Sequence, residues 1–236
     1  MPENSFGEDV AARYDDQDWE MFQPAAIDPV VDLLAELAGD GAALEFGIGT
    51  GRIALPLAER GVRVHGIDLS EAMVARLREK PGSGAIAVTI GDFATTRVDG
   101  TFSLTYLVFN TINNLTTQDA QVACFENAAA HLEPGGCFVI EVGVPGSEPL
   151  EVFALGDAHV GIDERDVASQ RLVSHHFMLV DGQWVRRSIP FRSVSPAELD
   201  LMARIAGMTL RERSGGWKRE PFTSESAKHV SVWEKP

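Results

Sequence analysis

The stretch Glu45-Phe46-Gly47-Ile48-Gly49-Thr50-Gly51 decides the fold of this chain. Its first two residues end a short apolar run, 42–46, and apolar residues resume at helical spacing from Ile53 onward. This pattern predicts a strand, a tight glycine loop and a helix. Because glycine has no Cβ, the loop backbone can pass within contact distance of a ligand at the carboxyl edge of a sheet. We therefore expect a nucleotide site here.

The residues around the loop argue against two common nucleotide sites. A dinucleotide fingerprint needs glycine at the sixth position counted from Gly47, and Arg52 stands there instead. A P-loop needs Gly-Lys-Ser/Thr, which the loop lacks. The pattern therefore disfavours NAD and ATP as ligands, and with them a nicotinamide oxidoreductase.

Two carboxylates follow the next two predicted strands. Asp68 closes the strand 62–68, where a carboxylate can accept hydrogen bonds from both hydroxyls of a ribose. Asp92 comes directly after the third strand, 85–90, in the same layer. Together with Phe93, Asp92 is placed to bind the edge and face of an adenine ring.

Strands and helices alternate through the first 145 residues, and the fifth strand is almost entirely apolar. This predicts an α/β fold: a Rossmann-like, seven-stranded, mostly parallel sheet with helices on both faces. After Pro145 two strand-like runs meet at Asp181-Gly182, which predicts an antiparallel hairpin inserted after strand five. We expect one domain, divided into an N-terminal helical lid (1–40), a cofactor-binding core (41–145), the antiparallel insertion (146–194) and the end of the core (195–236).

The composition of the chain limits the classes of partner that it can bind. The 236 residues carry a net charge of -15, which disfavours nucleic acid because such binding depends on Lys and Arg. Cys124 and Cys137 stand outside any CxxC or Cys-His pattern, so we expect no metal. The sequence shows no signal-like N-terminus and no apolar run of membrane-spanning length. We expect a cytoplasmic monomer or homodimer that acts on a small molecule away from membranes.

Four segments in register resemble the class I S-adenosylmethionine-dependent methyltransferases: 45–51, 66–70, 91–93 and 132–136. The resemblance covers roughly residues 42–142. It implies S-adenosyl-L-methionine as cofactor and gives each segment a role. The residues concerned are Glu45, Gly47, Gly49 and Gly51 for the methionine moiety, Asp68 with Leu69 for the ribose, Asp92 and Phe93 for the adenine, and Phe109 and Asn110 beside the sulfonium.

The N-terminal segment and the insertion after strand five resemble, more loosely, the small-molecule methyltransferases of bacterial secondary metabolism, including the amino-sugar N,N-dimethyltransferases. It implies that the N-terminal segment and the insertion form the acceptor pocket, and that Tyr14 lies beside the cofactor. The catalytic histidine of the amino-sugar enzymes has no counterpart after strand four here. Nitrogen, oxygen and carbon therefore all remain open as acceptor atoms. A non-catalytic cofactor-binding or scaffold protein with the same fold is the alternative.

Methyl transfer is an in-line displacement that depends mainly on positioning, but an amine or hydroxyl acceptor must lose a proton. His175, His176 and Glu141 are the candidate bases. Neighbouring strand residues face opposite sides, so only one of the two histidines can face the pocket, and we expect it to be His176. Glu141 could equally cap a loop. Four aromatic residues are candidates either for the acceptor pocket or for ordinary packing: Trp19, Phe22, Trp184 and Trp217.

Overall fold

The computed structural model describes residues 6–15 and 20–236. The strands are β1 Ala42–Phe46, β2 Arg63–Asp68, β3 Ala87–Ile90, β4 Phe102–Leu107, β5 Leu132–Gly143, β6 Leu150–Leu155, β7 His159–Asp166, β8 Arg171–Val180, β9 Gln183–Arg192, β10 Thr209–Ser214 and β11 Lys228–Glu234. The helices are α1 Glu8–Ala11, α2 Pro24–Ala38, α3 Ala54–Glu59, α4 Glu71–Arg78, α5 Gln118–His131 and α6 Pro196–Ile205. Short 3-10 segments span Glu20–Phe22, Ser83–Ala85 and Thr111–Asn114.

The main sheet has seven strands in the order β3-β2-β1-β4-β5-β11-β10. Strands β1 to β5 pair in parallel, and β11 runs antiparallel to both of its neighbours. This confirms the predicted seven-stranded, mostly parallel sheet. The order of the strands reverses at β1, because β2 and β3 lie on one side of it and β4 and β5 on the other. Ligands bind at such a switch point in open α/β sheets.

Two apolar layers cover the sheet, as its strand composition predicts. Alternate residues of a strand point to opposite faces, so Leu44 of β1 packs with α5 and α6, whereas Ala43 packs with α2 and α3. Phe125 of α5 and Leu34 of α2 are fully buried on the two sides. Helices on both faces therefore fix the strand ends that carry the candidate site.

The insertion is larger than the predicted hairpin. Its turn is confirmed, because Asp181 and Gly182 have φ values of 49° and 78° between β8 and β9. However, β6 and β7 extend the hairpin into a four-stranded antiparallel sheet, β6-β7-β8-β9. Strand β7 reads HVGIDERD, with four charged residues and little apolar alternation, so its strand structure depends on pairing with β8 rather than on local preference.

Side-chain caps begin three of the helices. Ser70 caps α4 and Ser195 caps α6, since each side chain accepts a hydrogen bond from the backbone N–H three residues on. Thr117 caps α5 in the same way. Helix α2 instead begins at Pro24, which suits a first helical position. In the described part of the chain, no helix combines the length and apolar character needed to cross a bilayer.

Candidate active site

The carboxyl ends of β1, β2 and β3 lie side by side at one edge of the main sheet. Parallel pairing sets Glu45 opposite Gly66, and Asp68 opposite Ile90. Asp68 is the last residue of β2, and Asp92 follows β3 by two positions. The three predicted carboxylates thus belong to three adjacent strand ends.

The glycine loop depends on glycine for both conformation and space. Gly47, Gly49 and Gly51 have φ values of 72°, 55° and 80°. A Cβ at Gly51 would lie 2.4 Å from Cδ1 of Leu77, and one at Gly47 would lie 2.8 Å from Cγ2 of Thr111. Any larger residue at these two positions would therefore require the side chain of Leu77 or Thr111 to shift, besides straining the backbone.

Asp68 connects the glycine loop to the end of β2. Its Oδ2 accepts the backbone N–H of Gly49 at 2.7 Å, and its Oδ1 accepts that of Ser70 at 2.8 Å. Burial raises the pKa of Asp68, while the N–H groups of Ser70, Gly49 and Leu69 oppose that rise. A carboxylate has about four acceptor sites, so Asp68 keeps acceptor capacity for a further donor such as a ribose hydroxyl.

Glu45 is buried at the end of β1. Tyr106 lies opposite it on β4 and donates its hydroxyl to Glu45 Oε2 at 2.9 Å. Burial raises the pKa of Glu45 to about 8, and the Tyr106 bond and the positive charge of Arg52 act in the opposite direction. A cation beside this carboxyl would favour its charged form. No local pattern indicates Tyr106 as the partner of Glu45, because the two residues lie 61 positions apart.

Asp92 and Phe93 behave differently from each other. Asp92 is half-buried, and its Oδ1 accepts the backbone N–H of Ala94 at 2.9 Å. The Phe93 ring is only 8% exposed and stacks on Phe46, with centroids 5.9 Å apart. Since that ring belongs to the core beneath the glycine loop, we expect Phe93 to meet an adenine through its backbone rather than its ring face.

A constrained loop follows β4. Phe109 and Asn110 have φ values of 57° and 60°, a left-handed conformation that costs free energy in residues other than glycine. Glu141 Oε2 accepts the Phe109 N–H at 3.2 Å, while Lys228 Nζ lies 2.8 Å from Glu141 Oε1. Asn110 Oδ1 accepts the N–H of Gly143 at 2.7 Å. Both Glu141 oxygens are thus engaged, which favours a loop-holding role over that of a base.

The N-terminal segment lies against the glycine loop. Thr50 Oγ1 donates to Asp15 Oδ1 at 2.7 Å, and Lys80 Nζ lies 2.7 Å from Asp15 Oδ2. Tyr14 is half-buried, and its ring meets Phe22 edge-on at 5.7 Å. Burial raises the pKa of Tyr14, so its phenol stays neutral near neutral pH. The contact of Asp15 with Thr50 spans 35 residues and had no counterpart in the sequence prediction.

A cavity of about 40 Å³ lies between these parts, lined by Tyr14, Glu45, Gly47, Gly49, Arg52 and Phe109 among others. Small-molecule sites usually measure about 300–1,000 Å³. This cavity is therefore smaller than a nucleoside-sized ligand needs, and binding of such a ligand requires side chains that line it to shift.

His176 lies on the face of the four-stranded insertion that also includes Ser174 and Arg187, and we call this the inner face because Ser174 is buried. In the antiparallel ladder it sits opposite Gly161 and Arg187, and Ser174, two residues before it on the same face, is buried. Its Nδ1 lies 3.1 Å from Nε2 of His159, and the two rings stack at 5.3 Å. Burial, and then the charges of His159 and Arg187, lower the pKa of His176. The His176 ring also meets the ring of Phe153 edge-on at 5.3 Å, so both of these ring contacts lie within the insertion.

The aromatic candidates do not form one pocket. Phe22 packs on Tyr14 beside the glycine loop. Trp184 is 53% exposed near the turn between β8 and β9. Trp217 is buried beside α2, where it lines a separate surface groove. Trp19 lies outside the described residues.

The fold and this site define a class: a Rossmann-like protein with a glycine loop after β1 and carboxylates at the adjacent strand ends. Residues 43–136 match a family described as a methyltransferase domain. The chain is 30% identical over 203 residues to the cypemycin N-terminal methyltransferase of a Streptomyces species, covering 81% of this chain and 82% of that protein. It also superposes on the CcbJ methyltransferase of Streptomyces caelestis with a TM-score of 0.86 and 34% identity over 98% of each chain.

A third relative is the dTDP-3-amino-3,4,6-trideoxy-alpha-D-glucopyranose N,N-dimethyltransferase of Streptomyces venezuelae, 28% identical over 155 residues, or 66% of this chain and 62% of that one. The chain belongs to the S-adenosylmethionine-dependent methyltransferases. The predicted family, enzyme class and cofactor are thereby confirmed.

The residues present fit this cofactor. S-adenosylmethionine carries an ammonium, two ribose hydroxyls and an adenine amino group, all of which donate hydrogen bonds. The three strand ends offer one carboxyl each for the ammonium, the ribose diol and the adenine amino group: those of Glu45, Asp68 and Asp92. The bound cofactor supplies an electrophilic methyl group on its sulfonium.

Proposed function

We propose that this chain methylates an amine nitrogen of a small molecule, bound between the N-terminal segment and the inner face of the insertion. The observation that carries the proposal is the position of Tyr14, which lines the cavity together with Glu45 and Phe109. A neutral phenol there can accept a hydrogen bond from an acceptor N–H and orient the nitrogen lone pair.

The location of the acceptor space is supported by how the insertion packs. Strand β9 packs against the 3-10 segment Thr111–Asn114, which directly follows Phe109 and Asn110. Arg187 of β9 interacts electrostatically with Asp9 of α1, which brings the insertion beside the N-terminal segment. These two observations support an acceptor space between the inner face of the insertion, the N-terminal segment and the loop after β4.

Nitrogen is favoured over oxygen and carbon by the relatives. One of them is an N-terminal methyltransferase, and another is an N,N-dimethyltransferase of an amino sugar. An ammonium has no lone pair, so the acceptor must be neutral or lose a proton. The lowered pKa of His176 leaves its imidazole neutral and able to take that proton, directly or through water.

The experiment offers purified protein and S-adenosylmethionine to matched acceptor pairs. One pair is a short peptide with a free α-amine and its N-acetylated form, and another is an amino-sugar nucleotide and its hydroxy analogue. Mass spectrometry should show the gain of a methyl group on an amine-bearing member and none on its partner. Methylation of a hydroxy analogue alone, or of both members alike, would contradict the choice of nitrogen.

A further inference from the structure

Arg52 stands where a dinucleotide fingerprint would have glycine, and the groups around its side chain suggest that it has a binding function. The side chain is half-buried and lines the cavity beside Glu45. Among the described residues that line this cavity, Arg52 is the only cation. Its positive charge opposes the rise in pKa that burial causes at Glu45 and at Tyr14.

The guanidinium of Arg52 lies over two aromatic rings. Its central carbon lies 5.1 Å from the ring centroid of Phe109 and 5.8 Å from that of Phe22. Nη1 donates to the backbone oxygen of Met21 at 3.1 Å. A guanidinium has five N–H donors in a planar fork, so this one bond leaves capacity for a bidentate pair with a carboxylate.

An α-amino acid group is zwitterionic and needs an acceptor for its ammonium and a donor for its carboxylate. Glu45 provides the first at the end of β1. We propose that Arg52 provides the second: its guanidinium recognises the α-carboxylate of S-adenosylmethionine. The pair Glu45 and Arg52 then matches both charges of the methionine end, whichever acceptor is methylated.

A competing role is purely structural. Arg52 holds Met21 and Phe22 of the N-terminal segment, so its loss could loosen that segment and weaken every ligand equally. Lys80 offers a matched control, because it is also a cation that ties the segment to the loop, through Asp15 and the backbone oxygen of Thr50. It is not among the residues that line the cavity.

The test measures dissociation constants by calorimetry for S-adenosylmethionine and for its decarboxylated form, which keeps the sulfonium and the amine. We expect the wild type to prefer the carboxylated ligand by about 10- to 100-fold, the range of a charged hydrogen-bonded pair. Arg52→Met should bring this ratio close to one. Arg52→Lys, which keeps the charge without the fork, should retain part of it.

The Lys80→Met control should weaken both ligands alike and leave the ratio at the wild-type value. Thermal unfolding of each variant identifies any that do not fold, and Arg52→Gln replaces Arg52→Met if that variant fails. An unchanged ratio in the neutral Arg52 variant would overturn the proposal, as would a wild type that binds both ligands equally well. Either result would leave Arg52 with only the structural role of holding the N-terminal segment.

Discussion

The backbone N–H of Gly49 donates to Asp68 Oδ2 at 2.7 Å, so the loop after β1 and the carboxylate that ends β2 form one unit. Gly49 has a φ of 55°, a conformation in which glycine is favoured. The same carboxylate accepts the N–H of Ser70, the cap of α4. Two strand ends and a helix start are therefore organised around the group that we expect to bind the ribose.

Replacing Asp68 with alanine should weaken S-adenosylmethionine binding by roughly 1.5–3 kcal/mol, because two hydrogen bonds to a charged acceptor are lost. Calorimetry measures the affinity, and thermal unfolding reports the cost of losing the bonds to Gly49 and Ser70. Asp32→Ala is the matched control, since Asp32 is an exposed carboxylate on α2 that pairs with Arg60. Equal affinities for wild type and Asp68→Ala would refute the ribose assignment.

Cofactor binding should release a proton from Glu45 near pH 7. Burial places its pKa at about 8, so the carboxyl is mostly protonated there, and the ammonium of the cofactor would lower that pKa and expel the proton. Affinity should therefore increase as the pH rises toward 8 and level off above it. Calorimetry in buffers of different ionisation enthalpy counts the protons released.

Glu45→Gln supplies the control for that count, because it keeps the size of the side chain and an acceptor for Tyr106 but cannot ionise. It should bind more weakly and release no proton. Proton release that persists in Glu45→Gln would assign the titration to another group.

His176→Ala should lower turnover and leave cofactor affinity intact. Because the pKa of His176 is lowered, the wild-type rate should stay high below pH 6.5 and fall only when the imidazole becomes protonated. His175→Ala is a control from the opposite face of the same strand, where His175 lies 2.8 Å from Ser188 Oγ. If the two variants have the same turnover number as the wild type, His176 has no part in the mechanism.

Glu141 should act by holding the loop after β4 rather than as a base. Glu141→Gln retains an acceptor for the Phe109 N–H and should cost only a few-fold in turnover, about the value of one modest hydrogen-bond change. Lys228→Met removes the same ion pair from the other side and should have a similar effect. Loss of turnover in Glu141→Gln with full activity in Lys228→Met would instead identify Glu141 as the base.

The sequence predicted those features that short segments determine. The glycine loop and the Asp181-Gly182 turn each depend on a few neighbouring residues, and the structure shows both. The positions of Asp68 and Asp92 followed from the rule that parallel strands end at one edge.

Contacts between segments that lie far apart in the sequence could not be predicted from the sequence alone. Tyr106 beside Glu45, and Lys228 beside Glu141, lie 61 and 87 residues apart in sequence and meet only through the strand order. Strand β7 was missed because its charged sequence gains strand structure from its partners. Phe93 was expected to face a ligand, and its ring instead stacks on Phe46, since nothing in a single sequence separates these two environments.

The most direct measurement is a crystal structure of the protein with S-adenosylhomocysteine. The account predicts both ribose hydroxyls within hydrogen-bonding distance of Asp68, the adenine amino group at Asp92 and the amino-acid end beside Glu45. An adenosyl group bound elsewhere, or with either aspartate turned away from it, would contradict the account.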